Sequence, residues 1–329
     1  MVKDLVTVII PCYNGEVFLD KCFECLLNQD YDKVQLIVVN DGSTDKSEEK
    51  ILKYKDDIEN KGWKFIYIYQ ENAGAAAAIC SGLKVTNGEF LMLYDVDDIL
   101  YDNNISTKVD AFSEDDEIGV VIDNGFFVWQ RTGDRTPFIQ DKEYIEKNGC
   151  FNALIYEHAY NWPGCYMVRT EMLFRQLEKK DIFISRYGQN LQILLPVAYF
   201  YKTKLLEVPL MDYLVRESSV SHTKDLDKQL RLQKGFSLNR IEVVKRMKIP
   251  ENEKEEILRN IEIWNAKKCF IFAFKHGLKD ELKKEKIYLK DLKEWSLKDE
   301  VRYFVGRRKK LKKVYDKLYD IKANRYRYD

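Results

Sequence analysis

The sequence predicts an α/β protein built on a mostly parallel sheet flanked by helices, with a helical C-terminal extension. Two observations carry that expectation. Through roughly the first hundred residues, short apolar, β-branched runs alternate with amphipathic helical stretches, the pattern of right-handed βαβ crossovers. From about Lys224 onward, long charged stretches with apolar residues at helical spacing take over.

Taken in order, Val6 to Ile10 is a continuous apolar run suited to a strand covered on both faces. Leu36 to Val39, Phe65 to Tyr69 and Phe90 to Tyr94 are three further strands. Helices are expected at Glu16 to Gln29, Asp45 to about Asn60, and Ala73 to Lys84. Asp45-Lys46-Ser47-Glu48 reads as a capping box opening the second of them. Sheets of this kind bind ligands outside the carboxyl ends of their strands. The polar turns fall there: Pro11 to Asn14, Asn40 to Ser43, Asn72 to Gly74, and Asp95 to Asp98. Downstream, Pro250 and Gly277 break the helical region, and Trp264 to Phe274 is apolar enough to be a buried helix.

The 329 residues suffice for one large domain with an appendage, or for two modest domains. Lys and Arg total 54 and Asp and Glu total 54, so net charge points to neither nucleic acid nor membrane. Seven Cys without regular spacing fit free thiols in a reducing compartment. Cys22 and Cys25 form the one close pair and read as small apolar residues on a buried helix face; a zinc half-site lacks a second pair. No N-terminal run resembles a leader, and no apolar segment reaches the ~18 residues needed to span a bilayer. A cytoplasmic location is therefore expected.

Asp95, Asp97 and Asp98 follow an apolar strand. Carboxylates crowded in this way repel one another unless a positive charge sits between them. Their oxygens suit a hard cation, Mg2+ or Mn2+, which can hold a diphosphate. The plain structural alternative is a solvated acidic turn in which Asp98 caps the next helix. A dinucleotide fingerprint is absent after the first strand, where Pro11-Cys12-Tyr13-Asn14-Gly15 stands, and there is no P-loop. Oxidoreductases and ATPases of those types are excluded.

Pro11-x-Tyr13-Asn14, then Asn40-Asp41-Gly42-Ser43-Thr44-Asp45, then Asn72-x-Gly74, then Asp95-x-Asp97-Asp98 resembles, as an ordered set, glycosyltransferase family 2. The resemblance implies a GT-A fold, a Rossmann-like sheet that binds a nucleoside diphosphate sugar. It places Pro11, Tyr13 and Asp41 in the nucleoside pocket, with Asn14, Asn72 and Gly74 on the same donor-binding side. Asp41 is suited to accept the imide N–H of uracil; an Asx-type turn with Gly42 is its structural alternative. Asp95 would face the ribose or the metal, and Asp97 would be the principal ligand of a divalent cation. Leu210 to Arg216, followed by Ser218, Ser219, Ser221 and His222, looks like the segment that closes the family's catalytic domain. His222 resembles a position that reaches the metal or diphosphate. The implied division is a catalytic domain over 1–222 and a helical region over 223–329.

The sequence departs from the family pattern twice. After Gly74, where the family commonly carries Ser-x-Ala-Arg-Asn, the chain has an Ala-rich stretch with Ile79 and Cys80 at the Arg and Asn positions. Charge compensation must then come from the metal or from another basic residue such as Arg216. An inverting transferase also needs a general base, and Gln189 and Asn190 stand at the usual base position, where they can orient a hydroxyl but not take its proton. Asp123 and Asp181 are the candidate bases; otherwise the chain is catalytically weak. Trp162-Pro163-Gly164 reads equally as cleft lining or as core packing.

Val301 to Asp329 holds eleven Lys or Arg against three Asp. Leu311, Val314, Tyr315 and Leu318 recur at helical spacing among Lys309, Lys310, Lys312, Lys313 and Lys317. Such a helix either lies on an anionic membrane surface or docks its stripe on the protein. The expected activity is inverting transfer of a sugar from a nucleotide-sugar donor, a UDP-sugar in keeping with Asp41, to a glycan or lipid-linked acceptor in cell-surface polysaccharide or glycoconjugate synthesis. A catalytically weak nucleotide-sugar-binding scaffold is the alternative, and no nucleic-acid partner is expected.

Overall fold

The apolar runs of the N-terminal half become four parallel strands: β1 (Val2–Cys12), β2 (Val34–Asp41), β3 (Lys64–Gln70) and β4 (Gly88–Leu93). The computed structural model describes residues 1–216, 225–308, 310–315 and 317. β2 is buried along its whole length, which suits its apolar run from Leu36 to Val39, while the buried Gln35 near its start accepts from Thr7 Oγ1 at 2.7 Å. Five further strands complete the sheet: β5 (Ile99–Leu100), β6 (Ile118–Trp129), β7 (Arg135–Phe138), β8 (Tyr166–Arg169) and β9 (Lys202–Val215). The order is β3-β2-β1-β4-β8-β6-β9-β5, with β7 paired to β6. Beyond β4 the pairing is mixed: β8 runs antiparallel to β4 and to β6, while β6 and β9 are parallel.

The chain leaves β1 in one direction toward β2 and β3 and returns to the other side of β1 as β4. That reversal opens a crevice at the carboxyl ends of β1 and β4, where open α/β sheets bind ligands.

The helices α1 (Glu16–Leu27), α2 (Ser47–Lys53), α3 (Lys55–Asn60) and α4 (Ala75–Lys84) connect these strands. The helix expected from Asp45 to Asn60 is broken at Tyr54, whose ring stacks on Phe23 at 4.7 Å and whose hydroxyl donates to Asp20 at 2.9 Å. The expected capping box is not formed. The Asp45 carboxylate accepts instead from the Ser47 N–H at 3.0 Å and from the Glu16 N–H at 3.1 Å, joining the starts of α2 and α1. Downstream lie α5 (Asn104–Phe112), α6 (Lys142–Ile155), α7 (Thr170–Gln176) and α8 (Gln189–Phe200).

Two compact units divide the chain: Met1–His222 with Glu242–Ile249, and Thr223–Ile241 with Pro250–Asp329. The helical region contains α9 (Leu226–Arg246), α10 (Glu251–His276), α11 (Lys279–Asp291) and α12 (Leu297–Gly306). Pro250 immediately precedes α10, and Gly277 follows it at a φ of 68°, a left-handed turn that favours glycine. Ala266, Phe270, Ala273, Phe274, Leu282 and Leu289 form the core of the second unit. No described helix is long and apolar enough to cross a membrane.

Candidate functional site

The carboxyl ends of β1, β2 and β4 and the start of α4 surround a cleft of about 280 Å³. Pro11, Tyr13, Asn14, Asp41, Asp95, Asp97, Gln189 and Arg216 all line it. Residues singled out on the turns after β1, β2 and β4, with Gln189 and Arg216 from further along the chain, are thus brought to one place, whereas Asn72 and Gly74 are not among the lining residues. Cys12, Gly15, Phe18, Ala75 and Val96 also line the cleft and were not anticipated. Their signal was weak because small and apolar wall residues are indistinguishable in sequence from core residues.

Local hydrogen bonds hold the turns. Asn14 adopts a φ of 50°; its N–H donates to Ser43 Oγ at 3.0 Å, and its Oδ1 accepts the Thr44 N–H at 2.8 Å. Asn14 therefore fastens the end of β1 to the end of β2. Asn40, not Asp41, makes the side-chain turn, since its Oδ1 accepts the Ser43 N–H at 2.9 Å. Gly42 has a φ of 69°, and a Cβ there would stand 2.7 Å from the Asn72 nitrogen, so the close approach of these two turns requires glycine.

Asp41 is only 2 % exposed. One carboxylate oxygen accepts from Gln70 Nε2 at 2.7 Å and the Ala73 N–H at 2.9 Å; the other accepts the Gly74 N–H at 2.8 Å. Asn72 Nδ2 donates to the Asp41 carbonyl at 3.0 Å. Asp41 thereby positions the turn that opens α4 while lining the cleft. Gly74, at a φ of 90°, precedes α4.

Ligand atoms of Asp95, Asp97 and Asp98 lie within 4.8 Å of one another. Asp98 is not the solvated helix cap offered as its alternative role. It is buried, its Oδ1 accepts the Leu214 N–H at 3.0 Å, and its Oδ2 has no hydrogen-bond partner among the described residues. Burial and the neighbouring Asp97 push the Asp95 carboxyl up to about 7, against the pull of Arg216. Burial, Asp97 and Asp95 also raise Asp98 well above the ordinary carboxylate range. The cluster is short of positive charge, and its hard oxygen donors fit a divalent cation.

Arg216 follows β9, and its guanidinium donates to Asp97 Oδ2. The same guanidinium lies 4.7 Å from the centroid of Phe18, a cation–π contact that keeps it over the cleft. The missing basic residue on α4, where Ile79 and Cys80 are buried, is thus matched by a cation supplied from a distant strand.

The candidate base positions diverge. Gln189, the first residue of α8, reaches the cleft. Asn190 turns inward and accepts the Tyr166 hydroxyl at 3.1 Å. Asp123 is fully buried, faces Lys108 at 3.4 Å, and lies outside the cleft lining. Asp123 must therefore be corrected as a base candidate: a carboxylate sealed in with a lysine cannot meet a hydroxyl arriving from solvent. Asp181 is exposed but lines a different cavity. Trp162 packs against Tyr213 at 4.6 Å and edge-on to Phe127 at 6.2 Å, away from the cleft lining. His222, with Ser218, Ser219 and Ser221, lies outside the described residues.

A model of glycosyl transferase family 2 matches residues 7–175, more than half of the chain. The chain belongs to this family. The glycosyltransferase GlyA of Streptococcus pneumoniae is 31 % identical over 242 residues, which are 67 % of this chain and 32 % of GlyA. The chain spans about half the length of other curated relatives that it matches. Among solved structures, Staphylococcus aureus TarS 1–349 in complex with UDP-GlcNAc superposes with a TM-score of 0.58 at 18 % identity, covering 92 % of this chain and 79 % of that one. The mannosyltransferase PcManGT of Pyrobaculum calidifontis, in complex with GDP-Man and Mn2+, does so at 0.54 and 16 %, covering 79 % and 69 %. At such identities these likenesses show the fold, GT-A, and the chain also carries a helical C-terminal region.

Proposed function

We propose that this glycosyltransferase moves a sugar from a nucleotide donor, a UDP-sugar above all, to a hydroxyl of a glycan or lipid-linked acceptor, with inversion at the anomeric carbon. The observation that carries this reading is the meeting of Asp41, Asp95, Asp97 and Arg216 around one cleft at the β1–β4 reversal. Pro11, Tyr13 and Asp41 would wall the nucleoside, and Asn14, Asn72 and Gly74 would keep that wall in place. Tyr13 is 53 % exposed, so its ring is available for a base to stack on.

Asp97 and Asp95 would hold the divalent cation, Mn2+ or Mg2+, which when bound offsets the charge of the diphosphate. Arg216 adds a fixed positive charge on the same side, where a diphosphate leaving group becomes more negative. Gln189 would orient the acceptor hydroxyl from the N-terminal turn of α8. We assign residues 1–222 to the catalytic domain and the basic end of the helical region to a peripheral contact with an anionic membrane face. In that region Leu311 is 41 % and Val314 57 % exposed, whereas the Tyr315 ring packs edge-on to Phe274 at 5.2 Å. Among the described residues of the stripe, Leu311 and Val314 thus remain exposed.

The test is a panel of nucleotide sugars scored for Mn2+-dependent transfer or hydrolysis. Asp97→Ala and EDTA should each abolish turnover; full activity under either condition would sink the reading. Gln189 at the base position favours a second reading, a nucleotide-sugar-binding scaffold of weak activity. Donor binding without measurable turnover across the panel would select it.

A further inference from the structure

Lys108, on α5, is fully buried and takes no part in the cleft lining. An ammonium has three protons to place. Lys108 donates to Asn104 Oδ1 at 2.7 Å and to the Gly164 carbonyl at 2.9 Å, and it faces Asp123 Oδ1 at 3.4 Å. Asn104 is also fully buried, and its Nδ2 donates to the Leu210 carbonyl at 2.9 Å and to the Gly164 carbonyl at 3.2 Å. Asp123 lies on β6. One buried polar node thus joins α5, β6, β9 and the turn at Gly164.

Two arms of the node lead to the cleft. The Gly164 N–H donates to the Leu93 carbonyl at 2.7 Å, and Leu93 ends β4, just before Asp95. Leu210 stands on β9, from which the Leu214 N–H reaches Asp98 and Arg216 reaches Asp97. β4 and β9 are not neighbours in the sheet, since β8 and β6 lie between them. Ladder hydrogen bonds therefore set their spacing only through the intervening strands, whereas the node ties both to one ammonium and one amide.

A buried ion pair is a costly way to fill a core, and apolar side chains of the same shape are often as stable. What the charged node supplies is a single arrangement, because an ammonium among fixed acceptors has one low-energy position, while apolar side chains repack at little cost. A cation site needs that precision, since Mg2+ demands its oxygens at about 2.0–2.1 Å in near-ideal geometry.

We propose that Lys108, Asn104 and Asp123 are positioning residues for the cleft, which hold the acidic turn after β4 in place against Arg216 after β9. The proposal rests on the reading of Asp95 and Asp97 as the cation site. The three residues act through Leu93 and Leu210, not by touching a ligand.

The test compares the full chain with K108M/D123L, which removes both charges and keeps the side-chain shapes. No charge is stranded in this variant, so it should unfold at a higher denaturant concentration than Asp123→Asn. Its Mn2+ affinity, read by electron paramagnetic resonance, should nevertheless fall at least about tenfold. Uridine affinity, measured by calorimetry without metal, should equal that of the parent, because Pro11, Tyr13 and Asp41 stand at the ends of β1 and β2, to which the node is not bonded. Asn104→Ala keeps the test open should the double variant not fold. It leaves the Gly164 carbonyl with Lys108 and the Leu210 carbonyl with the Tyr101 N–H at 3.0 Å, and it should weaken Mn2+ in the same direction. A parent chain that binds no Mn2+ overturns the cation reading and this proposal with it. Mn2+ binding by the parent together with equal affinity in the folded variants overturns this proposal alone. Uridine and Mn2+ binding that fall together mark a general loosening of the fold and overturn it as well.

Discussion

The guanidinium of Arg216 donates to the carboxylate of Asp97, across 119 positions of sequence, while resting on the ring of Phe18. On the proposed reading, in which Asp97 holds a divalent cation, Arg216 would compete with that cation for one carboxylate. Arg216→Gln should raise the affinity for Mn2+ alone by about tenfold, since no guanidinium has to be displaced. The same variant should weaken UDP binding by about tenfold, through loss of a charge-assisted contact. Mn2+ titration by electron paramagnetic resonance and UDP calorimetry read the two effects. Weaker Mn2+ binding in the variant would show that the arginine supports the cation site instead of competing for it.

Gln189 begins α8 at the cleft, while its neighbour Asn190 is held by Tyr166. If proton removal limits the reaction, Gln189→Asp supplies the missing carboxylate and should raise turnover by about 10²-fold or more. Donor affinity should change little. Turnover that falls or stays level would place the base elsewhere.

The Asp41 carboxylate holds two backbone N–H groups and Gln70 in a buried position. Asp41→Asn keeps the shape but turns an acceptor into a donor facing donors. The expected loss is about 1.5–3 kcal/mol of stability, read in denaturant unfolding. UDP affinity should fall in parallel, because the turn at Ala73 and Gly74 shapes the cleft. Unaltered unfolding would mean that the turn does not depend on this carboxylate.

Lys108 and Asp123 are both fully buried, and Lys108 also donates to Asn104 Oδ1 at 2.7 Å and to the Gly164 carbonyl at 2.9 Å. Asp123→Asn leaves a buried cation without its counter-ion and should cost about 3–5 kcal/mol. Burial pushes the Asp123 carboxyl up to about 6 despite Lys108. The folded state thus keeps a proton that the unfolded chain releases near pH ~4. Its contribution to stability falls as pH rises from about 4 to about 6 and is level above that. Unfolding curves at pH 4, 6 and 8 should fall less steeply in Asp123→Asn than in the parent, the remaining slope coming from Asp95 and Asp98, whose carboxyls are also raised.

Much of the cleft was legible in the sequence. Strand periodicity located β1 to β4, and the polar residues that interrupt it fell where the cleft lies. Helix boundaries were less legible, because Tyr54 breaks one helix through contacts with Asp20 and Phe23 that are distant in sequence. The capping box failed for a related reason: Asp45 had a better use in joining two helix starts. Strands β5 to β9 were not resolved by pattern, since several are short or pair antiparallel with half-buried faces.

The sequence by itself determined the family, the α/β class and the acidic turn of Asp95 and Asp97, because these rest on local runs whose chemistry is set by residue type and order. Tertiary structure alone decided what surrounds that turn. It brought Arg216 to Asp97, buried Asp98 beneath Leu214, sealed Asp123 with Lys108 and left Gln189 at the cleft. Each of these depends on which distant segment packs beside which, and burial and charge pairing act between neighbours in space irrespective of their separation along the chain.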